Sequence, residues 1–294
     1  MIRKIRGTVV VITGATSGIG RATALEFARE GASVVVAGRR EARLRELVAE
    51  IEVAGGEALA VRCDVSVQAQ VEHLMAQAID RFGRIDTLVN NAGVGLAAKF
   101  TEQSIEDFRR LMDVNFWGAV YACQAVVPQM KKQRSGVIIN VSSIFGKRGM
   151  PYETAYSASK FALAGFSEAL RAELMSENIE VTTIYPGAVE TEIFEAAPNH
   201  TGIEIPDSLP KFPATQMAKV IVQNARFPQA EVVIALDAMA INFFNKLAPG
   251  LVDLALGWSV PFIEGARRAS TTATEQQQHK DKSSNLYRTA SPQE

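Results

Sequence analysis

Cysteine is scarce in this sequence: Cys63 and Cys123 are the two among 294 residues, and neither stands in a CxxC pair or a disulfide-like framework. Such usage predicts a reducing compartment and excludes a disulfide-stapled scaffold. Histidine is scarce too. His73, His200 and His279 are scattered along the chain, without metal-ligand spacing, so no metal site is expected. An excess of charge of either sign is also missing: 31 basic residues face 32 acidic ones, which gives no field that would hold DNA, RNA or an anionic surface. A small-molecule partner, and no nucleic acid, is the expectation. The opening stretch "MIRKIRGTVVVITG" lacks an apolar run ahead of a small-residue cleavage site. Nothing in it directs export, and a cytoplasmic location follows as the reading.

What the chain does have is apolar content, 47% of its residues, enough to bury a large core. Runs rich in Val and Ile at 8–13, 33–38, 58–63, 85–90, 136–142, 180–185 and 231–236 read as strands. Several are apolar throughout, as parallel strands covered on both faces require. Between them lie segments of helical spacing, such as Leu44, Leu47, Val48 and Ile51 or Val71, Leu74, Met75, Ala78 and Ile79. Alternating β and α predicts a doubly wound α/β sheet, and the unbroken alternation predicts one domain over 1–235. Residues 236–263 read as an apolar helical extension, and 264–294, polar and without periodicity, as a disordered tail.

The first strand runs into "TGATSGIG", with Gly14, Gly18 and Gly20, and then into a helix from about Ile19 to Glu30. Glycines there permit a tight turn and close backbone approach to a pyrophosphate, while the helix N-terminus supplies N–H groups and positive dipole. Further along stand "NNAG" (90–93), Asn115, "NVSS" (140–143), the Tyr156 and Lys160 of "TAYSASKFALAG", and "YPGAVET" (185–191). Residues four apart in a helix share a face, so that phenol and ammonium can address one volume. In this order and spacing, over residues 7 to about 235, the set resembles the classical short-chain dehydrogenase/reductase family.

The resemblance implies a Rossmann-like sheet of about seven parallel strands ordered 3-2-1-4-5-6-7, with the ligand crevice where the order reverses. It implies hydride transfer between a nicotinamide cofactor and an alcohol/carbonyl pair. Tyr156 would be the general acid/base. A free Tyr has a pKa of about 10, and lowering it by about three units requires ~4 kcal/mol of preferential stabilisation of phenolate, which the Lys160 charge and an oxidised nicotinamide would supply. Ser143, thirteen residues before Tyr156, would orient the substrate oxygen, whereas Ser142 reads as a strand-end hydroxyl satisfied by backbone. Asn115 matches the Asn that interrupts a helix and helps hold a relay water. The cofactor set implied is Gly14, Thr16, Ser17, Gly18, Ile19, Gly20, Asp64, Val65, Asn91, Ala92, Gly93, Tyr156, Lys160, Pro186, Gly187, Val189 and Thr191. Asn90 is assigned mainly to structure, and capping of the next turn remains an alternative for Asp64.

Where an NAD-preferring member ends its second strand with an acid, this chain has Gly38, followed by Arg39 and Arg40. A missing carboxylate removes repulsion against a 2′-phosphate, and Arg39 is read as its ligand, so NADP(H) is the expected cofactor. Arg40 fits the start of a solvated helix. Two rivals remain. A sugar-nucleotide epimerase would call for TGxxGxxG and a larger C-terminal domain, neither present. A non-catalytic dinucleotide sensor or scaffold would have no need for Ser143, Tyr156 and Lys160 together. Segment 192–212 corresponds to the family's substrate loop, and Phe145, Met150 and Tyr152 suggest an apolar pocket wall. A homodimer or homotetramer is expected through helices at about 104–130 and 154–176, the second rich in small residues. The extension reads as two helices, about 237–247 and 250–257, too short to span a bilayer. They would pack on their own domain or a sister subunit, or form a lid resting peripherally on membrane that admits a lipophilic substrate.

Overall fold

The computed structural model describes residues 3–190, 211–234 and 236–261; the side chains of residues 236 and 237, Thr191, most of segment 192–212 and the tail lie outside that description. Seven strands, β1 (Val9–Thr13), β2 (Ser33–Gly38), β3 (Glu57–Arg62), β4 (Thr87–Asn90), β5 (Gly136–Val141), β6 (Ile179–Pro186) and β7 (Glu231–Ile234), form one sheet of order β3-β2-β1-β4-β5-β6-β7. Every pairing is parallel. The expected order is the observed one.

Alternate residues of each strand feed opposite faces, as the two-residue period demands. Val10 and Ile12 of β1 join Val34 and Val36 of β2 under α1 (Gly18–Arg29), α2 (Glu41–Val53) and α7 (Ala214–Arg226), through Phe27, Leu44, Leu47, Ile51, Met217 and Ile221. Val9, Val11 and Val35 face the other way. They meet α3 (Gln68–Phe82), α5 (Gly118–Gln133) and α6 (Thr154–Leu174) through Val71, Leu74, Val126, Met130 and Leu174. Each such fully buried side chain contributes roughly 1.5–3 kcal/mol, so two closed cores hold the strand ends in fixed relation.

Three of the polar residues inside these cores form a hydrogen-bonded chain. Asn90 Nδ2 donates to Asn140 Oδ1 at 2.9 Å, Asn140 Nδ2 to Ser167 Oγ at 2.8 Å, and Ser167 Oγ to the Leu163 carbonyl at 2.6 Å. This chain ties β4 to β5 and α6, the elements that carry the most chemistry. Asn90 is accordingly structural.

Helix α4 (Ile105–Met112) opens with a capping box between Ser104 and Asp107 and passes through one π turn, Asp113–Trp117, into α5. That turn holds Asn115. The helix read over about 104–130 is thus interrupted at Asn115, the Asn matched to a helix-interrupting position. Beyond β7, α8 (Leu236–Leu247) and a helix over 249–261 form the C-terminal pair. Ala238 is fully buried, yet Met239, Phe243, Phe244, Leu247, Leu251, Leu254 and Trp258 are each more than half exposed. Packing on its own domain therefore covers only part of this segment. Among the described residues, no helix is long and apolar enough to cross a membrane.

Candidate active site

The turn after β1 places Gly14 at φ +68° and Gly18 at φ +53°, the left-handed region that glycine enters without steric cost. Gly20 is glycine for space: a Cβ there would run into the Gly14 carbonyl and the Asn91 amide. On Gly14 it would lie 2.7 Å from Ala92 Cα. The loop thus lies flat on the segment following β4. Asn91 locks it, donating from Nδ2 to the carbonyls of Thr13 and Gly14 at 3.0 and 3.2 Å. Thr13 Oγ1 accepts in return from the N–H groups of Asn91 and Ala92, both at 3.1 Å. Ser17 stands at the N-cap of α1 without a side-chain cap. The first N–H groups of α1 are left for an incoming anion, with the helix dipole behind them.

A cleft of about 330 Å³ opens along the carboxyl ends of the strands. Gly14, Thr16, Ser17, Gly18 and Ile19 line it with Gly38, Arg39, Arg40, Asp64, Val65, Asn91, Ala92 and Gly93; Ser143, Tyr156, Lys160, Pro186, Gly187 and Val189 complete it. Two of the expected residues do not reach it. Gly20 packs beneath the loop, and Asn115 is buried behind it. Thr191 lies outside the described residues. A Cβ-free cradle, an uncapped helix N-terminus and a pair of guanidinium groups fit a phosphate-bearing dinucleotide, which the residues from Gly14 to Ile19 would hold.

The arginines divide differently from expectation. Arg40, read as a plain helix starter, reaches Thr16 Oγ1 from Nε and Nη2 at 3.1 and 2.9 Å and Ser17 Oγ at 2.7 Å. It is built into the glycine loop. Arg39 is exposed at the same rim. Gly38 is small for a packing reason, since a Cβ would stand 2.7 Å from Thr16 Cγ2. Asp64 combines its two readings: it lines the cleft, and its Oδ1 accepts from Ser66 N and Oγ at 3.1 and 2.7 Å, a local cap.

At the other end, Ser143 leaves β5 and starts a short 3-10 turn, accepting from Phe145 N at 3.2 Å. Its hydroxyl lone pair is engaged, which leaves its proton to be donated. Ser142 faces away and donates to the Lys160 carbonyl at 3.1 Å. Tyr156 is 4% exposed, edge-on to Phe145 with ring centroids 5.9 Å apart. Lys160 Nζ lies 5.6 Å from its ring centroid and donates to the Val141 carbonyl at 3.0 Å. Burial holds Lys160 down to about 8. Burial also drives the Tyr156 phenol well above its ordinary value, opposed by the Ser143 hydroxyl and assisted by the nearby Glu153 carboxylate. The expected lowering is therefore absent from the protein alone, because desolvation of phenolate is the largest influence on it.

Asn115 spends its amide on bracing. Oδ1 accepts from Val94 N at 2.8 Å, and Nδ2 donates to the Val94 carbonyl and Ser159 Oγ, both at 3.0 Å. Ser159 Oγ in turn donates to the Tyr156 carbonyl at 2.7 Å. Ser159 and Glu153 escaped the sequence reading. Their signal was spacing: both lie three residues from Tyr156 and so on its side of α6.

The family model described as short chain dehydrogenase matches residues 8–202. This chain belongs to the short chain dehydrogenase family. It is an oxidoreductase of that family, whose members bind a nicotinamide dinucleotide. The uncharacterized oxidoreductase YxnA of Bacillus subtilis is 36% identical over 283 residues, covering 93% of this chain and 78% of the relative. A short chain dehydrogenase/reductase from Burkholderia phymatum in complex with NAD superposes with a TM-score of 0.77 at 28% identity, covering 85% of this chain and 96% of the other. An alcohol dehydrogenase from Thermococcus sibiricus complexed with 5-hydroxy-NADP gives 0.70 at 27% identity, over 77% of this chain and 95% of the other.

Glu153 gives this dehydrogenase fold a measurable pH signature. Burial pushes its carboxyl up from 4.5 to about 8, so the folded protein keeps a proton that the unfolded chain releases above pH 4.5. Stability is expected to fall as pH rises from about 4.5 to about 8, and Glu153→Gln to remove that part of the fall. Urea unfolding of both proteins at pH 5 and pH 8 measures it: wild type loses more than ~1 kcal/mol relative to the variant across that interval. A pH-independent difference would place the carboxyl in water.

Proposed function

We propose that this chain is an NADP(H)-dependent oxidoreductase interconverting an alcohol and a ketone or aldehyde on a lipophilic small molecule in the cytoplasm. The observation that carries this reading is Tyr156, buried at the end of the dinucleotide-shaped cleft between the Ser143 hydroxyl and the Lys160 ammonium. The nicotinamide, when bound, supplies or accepts the hydride. In the reducing direction Ser143 donates a hydrogen bond to the carbonyl oxygen and fixes it, and Tyr156 Oη gives that oxygen its proton. The phenol is a loaded acid in this structure, because burial disfavours its ionised form. Lys160 places a positive charge behind the phenolate that proton loss creates. Asn115 and Ser159 hold the Tyr156 turn of α6 against the loop at Val94, and so act on geometry. Leu96, Leu111, Phe108 and Phe145 surround Tyr156 with apolar surface, which supports a lipophilic substrate.

The preference for NADP(H) rests on the absence of a carboxylate at Gly38 and on two guanidinium groups lining the cleft beside Thr16 and Ser17. Subunit contact through α5 and α6 is supported by the half-exposed Trp117 and Phe161 and by the open faces of Ala158, Gly165 and Ala169. Of the other small residues of α6, Ala155 and Ala164 point inward and are buried. The exposed apolar face of α8 and 249–261 supports a separate peripheral membrane contact.

Four measurements test these readings. Tyr156→Phe, which loses only the hydroxyl, keeps dinucleotide binding and falls below about a tenth of wild-type turnover, while Lys160→Ala damages both; turnover above that level in Tyr156→Phe would remove Tyr156 as the acid. Arg39→Ala and Arg40→Ala each raise the KM for NADPH about tenfold and leave that for NADH nearly unchanged, as loss of a charge-assisted phosphate contact implies. Equal catalytic efficiency of wild type with both cofactors would contradict the preference. Light scattering shows a dimer or tetramer at micromolar concentration, and flotation with anionic liposomes at low salt carries the protein upward. A monomer refutes the first contact and a wholly soluble fraction the second.

A further inference from the structure

Helix α4 brings one charged side chain to the cleft that no sequence motif singles out. Arg110 lines the cleft beside Val94, Gly95 and Val114. Val114 stands four residues further on and belongs to the same wall, as helical spacing requires. The helix is held at both ends: the capping box of Ser104 and Asp107 fixes its start, and Asn115, just past its end, bonds the N–H and carbonyl of Val94 at 2.8 and 3.0 Å. Arg110 is exposed at the cleft rim, yet its backbone is not free to drift.

The protein itself makes no use of this guanidinium. Arg109 beside it pairs with Glu106 at 3.1 Å, whereas Arg110 has no hydrogen bond or ion pair with any described residue. The charged groups lining the cleft are Arg39, Arg40, Arg110 and Lys160 against the one carboxylate of Asp64, in a chain whose net charge is −1. Arg40 is bound to Thr16 and Ser17, Lys160 to the Val141 carbonyl, and Asp64 Oδ1 to Ser66. Positive charge gathered in one concave site, within a chain that carries no excess of it, favours a polyanion there.

Strand order decides which anion Arg110 serves. Arg39 and Arg40 follow β2, the glycine turn follows β1, segment 94–95 follows β4 and Ser143 follows β5, in a sheet where β1 and β4 lie between β2 and β5. The wall that carries Arg110 is therefore on the other side of the glycine turn from the first two arginines, between that turn and the acid end. We propose that Arg110 holds the diphosphate that joins the two halves of the dinucleotide, reaching it from the β4 side while the N–H groups of α1 reach it from the β1 side. A guanidinium forks two donors onto phosphate oxygens. The diphosphate is common to NAD and NADP, so Arg110 sets affinity for the dinucleotide and not the choice between the two. This inference rests on the dinucleotide reading of the cleft and is independent of the preference for NADP(H).

The test is binding by calorimetry of NADPH, NADH, ADP and 2′-AMP to wild type, Arg110→Ala and Arg110→Lys. ADP carries the diphosphate without a 2′-phosphate, and 2′-AMP the reverse. Arg110→Ala is expected to weaken NADPH, NADH and ADP about tenfold each, ~1.4 kcal/mol, and to leave 2′-AMP nearly unchanged. Arg110→Lys, which keeps the charge and loses the fork, recovers part of the affinity. An unfolding midpoint equal to that of wild type shows that the exposed substitution leaves the fold intact. A loss confined to NADPH and 2′-AMP would assign Arg110 to the 2′-phosphate and overturn the proposal, as would unchanged affinity for ADP and both cofactors. The two readings separate in wild type: binding of the dinucleotides that Arg110→Ala does not weaken sinks the role of Arg110 alone, and wild type that binds no dinucleotide sinks the reading of the cleft and this inference with it.

Discussion

The contact on which the rest of this structure depends is the one between the glycine turn and the segment after β4. A Cβ at Gly14 or Gly20 would collide with Ala92, Asn91 or the turn itself, so neighbouring strands β1 and β4 could not end side by side with a larger residue there. Asn91 and Ala92 then donate four hydrogen bonds to Thr13 and Gly14 across the gap. With strand order reversing between β1 and β4, that lock sets the width of the crevice. The N-terminus of α1 and the acid end of α6 are both measured from it.

At the acid end two effects compete over one phenol. Desolvation favours the neutral form of Tyr156, and a Lys ammonium 5.6 Å from the ring centroid does not reverse it. Lys160 is weakened by the same burial, down to about 8. A proton donor held in this way is strong in readiness and poor in release until positive charge arrives on its other side.

Sheet order, both cores and most of the cleft lining were legible in the sequence because they follow from strong patterns: uninterrupted Val/Ile runs, helical spacing, and glycines between a strand and a helix. What escaped was side-chain partnership. The hydroxyls of Thr16 and Ser17 gather Arg40 rather than Arg39, and no one-dimensional pattern tells which of two adjacent arginines will bond the loop. Gly20 carries a cradle motif, yet its reason is packing beneath the loop. Asn115 could be matched by position, while its bonds to Val94 and Ser159 depend on a π turn that brings distant backbone to it.

The C-terminal pair illustrates the same limit and carries a mechanical consequence. Its residues look separable in sequence, lying past the strands. In the fold they grip the loop that follows Ser143: Arg148 bonds Asn245 Oδ1 at 3.0 Å and pairs with Asp253, and Asn245 Nδ2 donates to the Lys147 carbonyl at 3.1 Å. Lys147 is held from the sheet side by Glu231 and lies 4.3 Å over the Tyr185 ring. Gly146 leaves the loop no slack, since a Cβ there would stand 2.6 Å from Ser142 Oγ and 2.7 Å from the Lys160 carbonyl. A loop so clamped transmits displacement rather than absorbing it. Whatever covers the apolar face of α8 and 249–261 therefore bears on the position of Ser143, and removing those helices would disturb the oxygen-orienting hydroxyl as well as the surface they present.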